Sequence, residues 1–265
     1  MVGTAWRDLG AAFHSIYRIV CFDAKTRQLI DWRKVEVHGD LSEGPKSWTR
    51  RDYAELAGAY AGAAVYINLL PEVIQVLVDH GTFESPFRFV ALFERDYEAP
   101  HSLLIQYIEL SPEWQRHGIL TRMFALQAKA AARLGFKRIT VEAALKGGSH
   151  ASTSKKFHGY YTWARLGFDG PLPQAWRDAQ TAPFSACELV SDVMNSERGR
   201  RHWLEHGLSM KLVFGLNPPS NGWATLARYL QQTRIRVSPC GLRKILTLMK
   251  KMPGPSGREN SAQNT

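Results

Sequence analysis

A change of hydrophobic period within one stretch, Leu103 to Phe124 (LLIQYIELSPEWQRHGILTRMF), constrains this chain more than any other feature. Its first half alternates in the manner of a strand. Leu104, Gln106, Ile108 and Leu110 interleave with Ile105, Tyr107 and Glu109, and Ser111-Pro112 closes the run. After Gly118 the apolar residues adopt helical spacing, with Ile119, Met123, Leu126 and Ala130 on one face. A short turn, Glu113 to Gly118, joins the two. A strand that runs through a tight loop into a helix leaves backbone N–H groups unpaired at the helix start. Those donors and the positive end of the helix dipole suit a phosphate, and a glycine there allows close backbone approach.

The spacing Gln115-x-x-Gly118-x-Leu120 resembles the pyrophosphate loop of the GNAT superfamily of acyl-CoA-dependent N-acyltransferases. That loop usually reads Gln or Arg, two residues, Gly, one residue, then Gly or Ala. Here Leu120 stands at the second small position. A second segment, Tyr160-Tyr-Thr-Trp-Ala-Arg-Leu-Gly-Phe168, resembles the family's helix that ends in an aromatic, three residues and Gly-Phe, which opens the next strand. The family's aromatic is usually a tyrosine whose hydroxyl protonates the departing thiolate. Trp163 holds that place, and an indole donates a hydrogen bond without giving up its proton.

The likeness spans Arg51 to Leu216 and implies a mixed α/β fold, a twisted central mixed sheet flanked by helices. Outside or between its parts lie an N-terminal extension (1–50, read as a hairpin), an insertion (169–207) before the last core strand, C-terminal helices (217–252) and a tail expected to be disordered (253–265). By the same resemblance acetyl-CoA is the co-substrate, no metal is required, and the acceptor is an amine. Leu110, Gln115, Arg116, His117, Gly118, Ile119, Leu120 and Thr121 are the cofactor-binding set, with a backbone N–H near Leu110 polarising the thioester carbonyl.

Acyl transfer to an amine needs a base for the amine, a polarised carbonyl and a proton for the thiolate. Glu109, two residues before Ser111-Pro112, is the first candidate base, with Glu142 on the next strand as the second. Each reads equally as a surface carboxylate. Tyr160 lies one helical turn before Trp163 and is the first candidate acid; Tyr161 follows, and His158 suits either role. As structural residues these are packed aromatics and a helix histidine. A further pattern, His202-Trp-Leu-Glu205-His206, spells the H-x-x-E-H of inverted zinc proteases. Gly207 ends that helix at once, and the only acidic residue downstream is Glu259 in the tail, so the pattern lacks a third ligand.

The 265 residues carry a net charge of +10, unevenly distributed. From Trp223 onward eight basic residues face one acidic residue, a net of +7, which leaves +3 for the 222 residues before them. The basic character thus belongs to the C-terminal segment, where Leu242, Ile245, Leu246, Met249 and Met252 share one face of a helix from Ser238. Such a segment suits an acidic or nucleic-acid partner, aminoacyl-tRNA among them, or packs on the domain itself. Three widely separated cysteines (Cys21, Cys187, Cys240) suggest neither a disulfide framework nor a cysteine zinc site, and a cytoplasmic protein is the expectation. The longest uncharged runs, Leu56 to Pro71 among them, are too short to span a bilayer.

The remaining elements follow from local signals. Strands are expected at Ile16–Phe22, Gln28–Val37, Phe87–Phe93, Leu103–Leu110, Arg138–Ala143 and Ser209–Leu216. Helices are expected from a Thr49 cap through Tyr53–Ile67, at Glu72–Asp79 after Pro71, and at Ile119–Leu134 before Gly135. Further helices are expected at Ser154–Leu166, Ser185–Leu204 and from Ser220 or Asn221 to Gln231. Lys146–Thr153 reads as a polar loop. Gly58 and Gly62 mark a close packing contact. Two classes of function remain, an acyl-CoA-dependent N-acyltransferase and a GNAT-shaped binding protein without turnover.

Overall fold

The computed structural model describes residues 31–83, 85–94, 99–115, 117–143, 159–217 and 220–232. They form a mixed α/β fold around one seven-stranded sheet. Its strands are β1 (Glu36–His38), β2 (Ala64–Leu70), β3 (Val73–Asp79), β4 (Phe87–Glu94), β5 (Ala99–Tyr107), β6 (Arg138–Ala143) and β7 (Met210–Gly215), adjacent in that order. The β1–β2 and β5–β6 pairs are parallel and the other four are antiparallel. Period-two alternation places one apolar row per strand on a common face: Val65, Val78, Phe87, Ile105, Val141 and Leu212 are all buried there. The sheet begins at Glu36, before the start of the likeness at Arg51.

Helices α1 (Arg50–Leu56) and α2 (Ile119–Arg133) pack together over that face. Thr49 caps α1 in a full capping box with Asp52. The helix expected as far as Ile67 stops at Leu56 because Gly58 turns left-handed (φ 59). A Cβ on Gly58 would stand 2.6 Å from the Met123 carbonyl oxygen of α2, so only glycine permits this approach. Gly62, by contrast, faces open space. Arg133 at the far end of α2 reaches Asp52 at 2.6 Å and Glu55 at 3.0 Å, tying the two helices by charge.

The helix expected over Glu72–Asp79 is strand β3. Leu70 pairs with Val73, so Pro71-Glu72 is a two-residue hairpin corner, and Glu72 takes the positive φ (62) that its second position demands. Val73, Ile74, Val76 and Val78 are β-branched, which favours a strand over a helix.

Beyond β6, α3 (Gly159–Arg165) leads through Gly167-Phe168 to Asp169, which bridges Val213 on the outer edge of β7. The single helix expected at Ser185–Leu204 is instead a 3-10 turn (Phe184–Ala186), α5 (Val190–Met194) and α6 (Glu197–His206), preceded by α4 (Gln174–Asp178). Ser196 breaks the run: its hydroxyl accepts from the Gly199 N–H and caps α6. Trp203, Trp176 and Tyr160 interlock beneath this lobe. The last helix among the described residues, α7 (Asn221–Gln232), sets Trp223 against Phe214 of β7.

The expected strand over Gln28–Val37 is, within 31–38, a 3-10 turn (Trp32–Lys34) and the short β1. The strand at Ile16–Phe22, the loop at Lys146–Thr153, the helix at Ser238–Met252 and residues 253–265 lie outside the described residues, as do Arg116, His158, Cys21 and Cys240. Among the described residues no helix is long and apolar enough to cross a membrane.

Candidate functional site

The parallel β5–β6 pair opens at one end. Its register runs from Ser102↔Arg138 to Ile105↔Val141 and stops there, although β5 continues to Tyr107 and β6 to Ala143. The chain leaves β5 at this opening and passes through Leu110 to a 3-10 turn at Pro112–Trp114. It re-enters regular structure at Gly118, the N-cap of α2, which is left-handed (φ 70). Gly118 supplies no side-chain cap to α2, and the first turn of the helix carries no acidic residue.

The loop is held at several points. The Gln115 side-chain amide donates to the Leu110 carbonyl at 2.8 Å, and the Gln115 backbone N–H donates to the Pro112 carbonyl. The Trp114 N–H donates to the Ser111 carbonyl, and the indole is buried to 1% exposure, anchoring the turn in the core. The Ser111 N–H donates to the Thr82 carbonyl at 3.0 Å, and Leu110 bridges Phe83. Ile119 and Thr121 are buried and His117 is half-buried. Leu120, at the position where the family carries a small residue, lines a cavity of about 10 Å³ with Ile108, Phe124 and Trp163. That space holds at most about one water.

Strand β5 ends at Tyr107, three residues short of the expected Leu110, so Glu109 and Leu110 stand beyond the ladder. Glu109 accepts a hydrogen bond from the Tyr107 hydroxyl. The structure thus adds Tyr107 to the candidate set, and its place two residues before Glu109 on the alternating run was the available signal. Glu142 is exposed on β6 opposite Lys211, on the face away from Ile139 and Val141 and hence away from α2. Tyr160 is buried, and its hydroxyl donates to the Leu204 carbonyl at 2.6 Å; burial also raises its pKa above the usual phenol value. Tyr161 is half-buried beside the Arg165 guanidinium. Trp163 is buried against Phe124 and Phe168, an aromatic packing position.

No protein-family model matches the sequence, and no curated protein matches it either. The functional reading therefore stands on the geometry and on the likeness of its two motifs. The H-x-x-E-H pair sits elsewhere, on α6. His202 stacks on Phe184 with ring centroids 4.0 Å apart, and its Nε2 meets Gln180 Oε1 at 2.8 Å. Burial and the neighbouring His206 hold its pKa below the ordinary histidine value. Among the described residues no cluster of three metal-ligating side chains occurs.

Proposed function

We propose that the chain is an acyl-CoA-dependent N-acyltransferase that transfers an acetyl group from acetyl-CoA to a primary amine. One observation carries the reading: the parallel β5–β6 pair opens where the chain turns through a left-handed glycine into a long helix whose N-cap residue has no side chain. An opened parallel pair offers unpaired backbone donors and acceptors to an extended pantetheine arm. The start of α2 offers N–H groups to the pyrophosphate.

In this reading Gly118, Ile119, Leu120 and Thr121 hold the phosphates through their backbone, and Gln115 fixes the loop by its bond to Leu110. Glu109 takes the amine proton at the opened end of β5. The amine nitrogen then attacks the thioester carbon, the carbon–sulfur bond breaks, and the thiolate takes its proton from water. Water is assigned that step because the Tyr160 hydroxyl already donates to Leu204 and Trp163 keeps its proton.

The test is calorimetric titration with acetyl-CoA. Wild type binds, and Gly118→Asn, which tolerates a left-handed backbone but adds a side chain at the close approach, weakens binding at least about tenfold. An unchanged dissociation constant in the variant would sink the assignment. A second reading, a protein that binds acyl-CoA without turnover, is favoured by Trp163 and by the engaged Tyr160 hydroxyl. Binding without thiol release from acetyl-CoA in the presence of amines would select it.

A further inference from the structure

Two supports flank the loop between Leu110 and Ile119. On the strand side, the turn at His80–Phe83 receives the Ser111 N–H on the Thr82 carbonyl and bridges Leu110 through Phe83. On the helix side, the Tyr60 hydroxyl donates to the carbonyl of Ile119, the first residue of α2, at 3.0 Å. Tyr60 belongs to the segment that turns at Gly58 against Met123. The two supports come from different parts of the chain, one after α1 and one after β3.

One imidazole lies between them. His80 is 8% exposed. Its Nδ1 accepts from the Thr82 N–H at 3.3 Å and meets the Thr82 hydroxyl at 2.9 Å. These partners define the neutral ring with the proton on Nε2. Thr82 itself is 2% exposed, and the Tyr60 ring stands 6.4 Å from His80 between centroids. A single neutral ring therefore lies between Tyr60 and the residue that receives Ser111.

We infer that His80 is a positioning residue for the loop at the start of α2, fixing its strand end through Thr82 and its helix end through its packing against Tyr60. It touches no ligand in this role. It sets the distance between the opened end of β5 and the first turn of α2, the span that a pyrophosphate and its attached arm must match. As a description of the acyl-CoA site the inference rests on the proposed function. The coupling of His80 to Ser111 stands independently of it.

The test exploits two partial isosteres. Asn places a carbonyl near the position of Nδ1 and keeps the acceptor for Thr82, whereas Gln places its amide near Nε2 and loses that acceptor. In His80→Gln the amide of Ser111 should exchange with solvent about tenfold faster than in His80→Asn, the factor expected for loss of one net hydrogen bond. Acetyl-CoA affinity measured by calorimetry should fall by about the same factor in His80→Gln. Urea midpoints of the two variants separate this from general loosening, which would speed core amides such as Ile139 equally. Equal Ser111 exchange in the two variants, or acceleration no greater than that of Ile139, overturns the inference. If wild type fails to bind acetyl-CoA the proposed function falls, while the Ser111 comparison still decides the clamp.

Discussion

The Tyr160 hydroxyl donates to the Leu204 carbonyl at 2.6 Å, joining α3 to the last turn of α6. A phenol so engaged is a fastener between two helices. Tyr160→Phe keeps the ring against Trp203 and removes one hydrogen bond, which should cost about 0.5–1.5 kcal/mol of stability. Thiol release from bound acetyl-CoA should keep its wild-type rate. A drop of a hundredfold or more in that rate would return Tyr160 to the chemistry.

The two candidate carboxylates occupy different surroundings. Glu109 stands beside Tyr107 where the β5–β6 pair opens, and Glu142 faces Lys211 on the side of the sheet away from α2. Glu109→Gln should lower the rate of acyl transfer by about 10²-fold or more, the usual effect of losing a general base, with acetyl-CoA affinity retained. Glu142→Gln should leave both near wild type. The reverse pattern in steady-state kinetics would exchange their roles.

Acid should loosen the fold through His80. Burial pushes its pKa down from 6.5 to about 4 against the opposing pull of Asp79 and the Ala61 backbone; the Tyr60 ring packs beside it, and the Arg122 charge acts on Tyr60. Between those values the unfolded chain binds a proton that the folded state refuses, so stability falls as pH drops from 6.5 through 4. The loss from this one group reaches about 3 kcal/mol. Urea midpoints across that window, in wild type and His80→Gln, measure it. An identical slope in the variant would assign the acid sensitivity to other groups.

Gly167 and Gly62 both take left-handed backbones, with φ 99 and 89, but they differ in what surrounds them. A Cβ on Gly167 would stand 2.4 Å from the Gly222 carbonyl oxygen of α7, whereas one on Gly62 meets nothing within 4 Å. Gly62→Ala should cost only the backbone term, about 1–2 kcal/mol. Gly167→Ala adds overpacking of about 1–3 kcal/mol to the same term. Equal denaturation midpoints would mean that α7 yields at that contact.

Much of the sheet was legible where local and tertiary signals agree. Arg138–Ala143 alternates and is bounded by Gly135, and the strand occupies those six residues. The start of α2 at Ile119 followed from the change of period, because Gly118 serves both as the turn and as the N-cap. The hairpin at Pro71-Glu72 was missed for a physical reason. Proline favours the first turn of a helix and the first corner of a β-turn alike, and the deciding feature, a left-handed glutamate, has no sequence signature. The break at Ser196 did carry a signal, because Asn195-Ser196 just before Glu197 is a helix-start pattern, and reading one helix across it overlooked the cap that Ser196 gives the Gly199 N–H. At the site, the glycine and its helix were readable from spacing. The engagement of Tyr160 was not, since its acceptor is a main-chain carbonyl 44 residues away.

Strand order carries a consequence for how the protein is made. From β1 to β6 each strand lies beside the one synthesised before it, so the sheet can extend at its newest edge as the chain emerges from the ribosome. The seventh also lies beside its predecessor, but it does not simply extend a free edge. Strand β7 pairs with β6 along one side and meets Asp169 along the other, entering between two segments that left the ribosome before it. Phe124 completes its contacts only when Phe214 arrives with that strand, more than eighty residues later in translation. Until then the ring lacks one wall, and a nascent chain stalled in the 170–207 lobe would present it to chaperones as an unfinished surface.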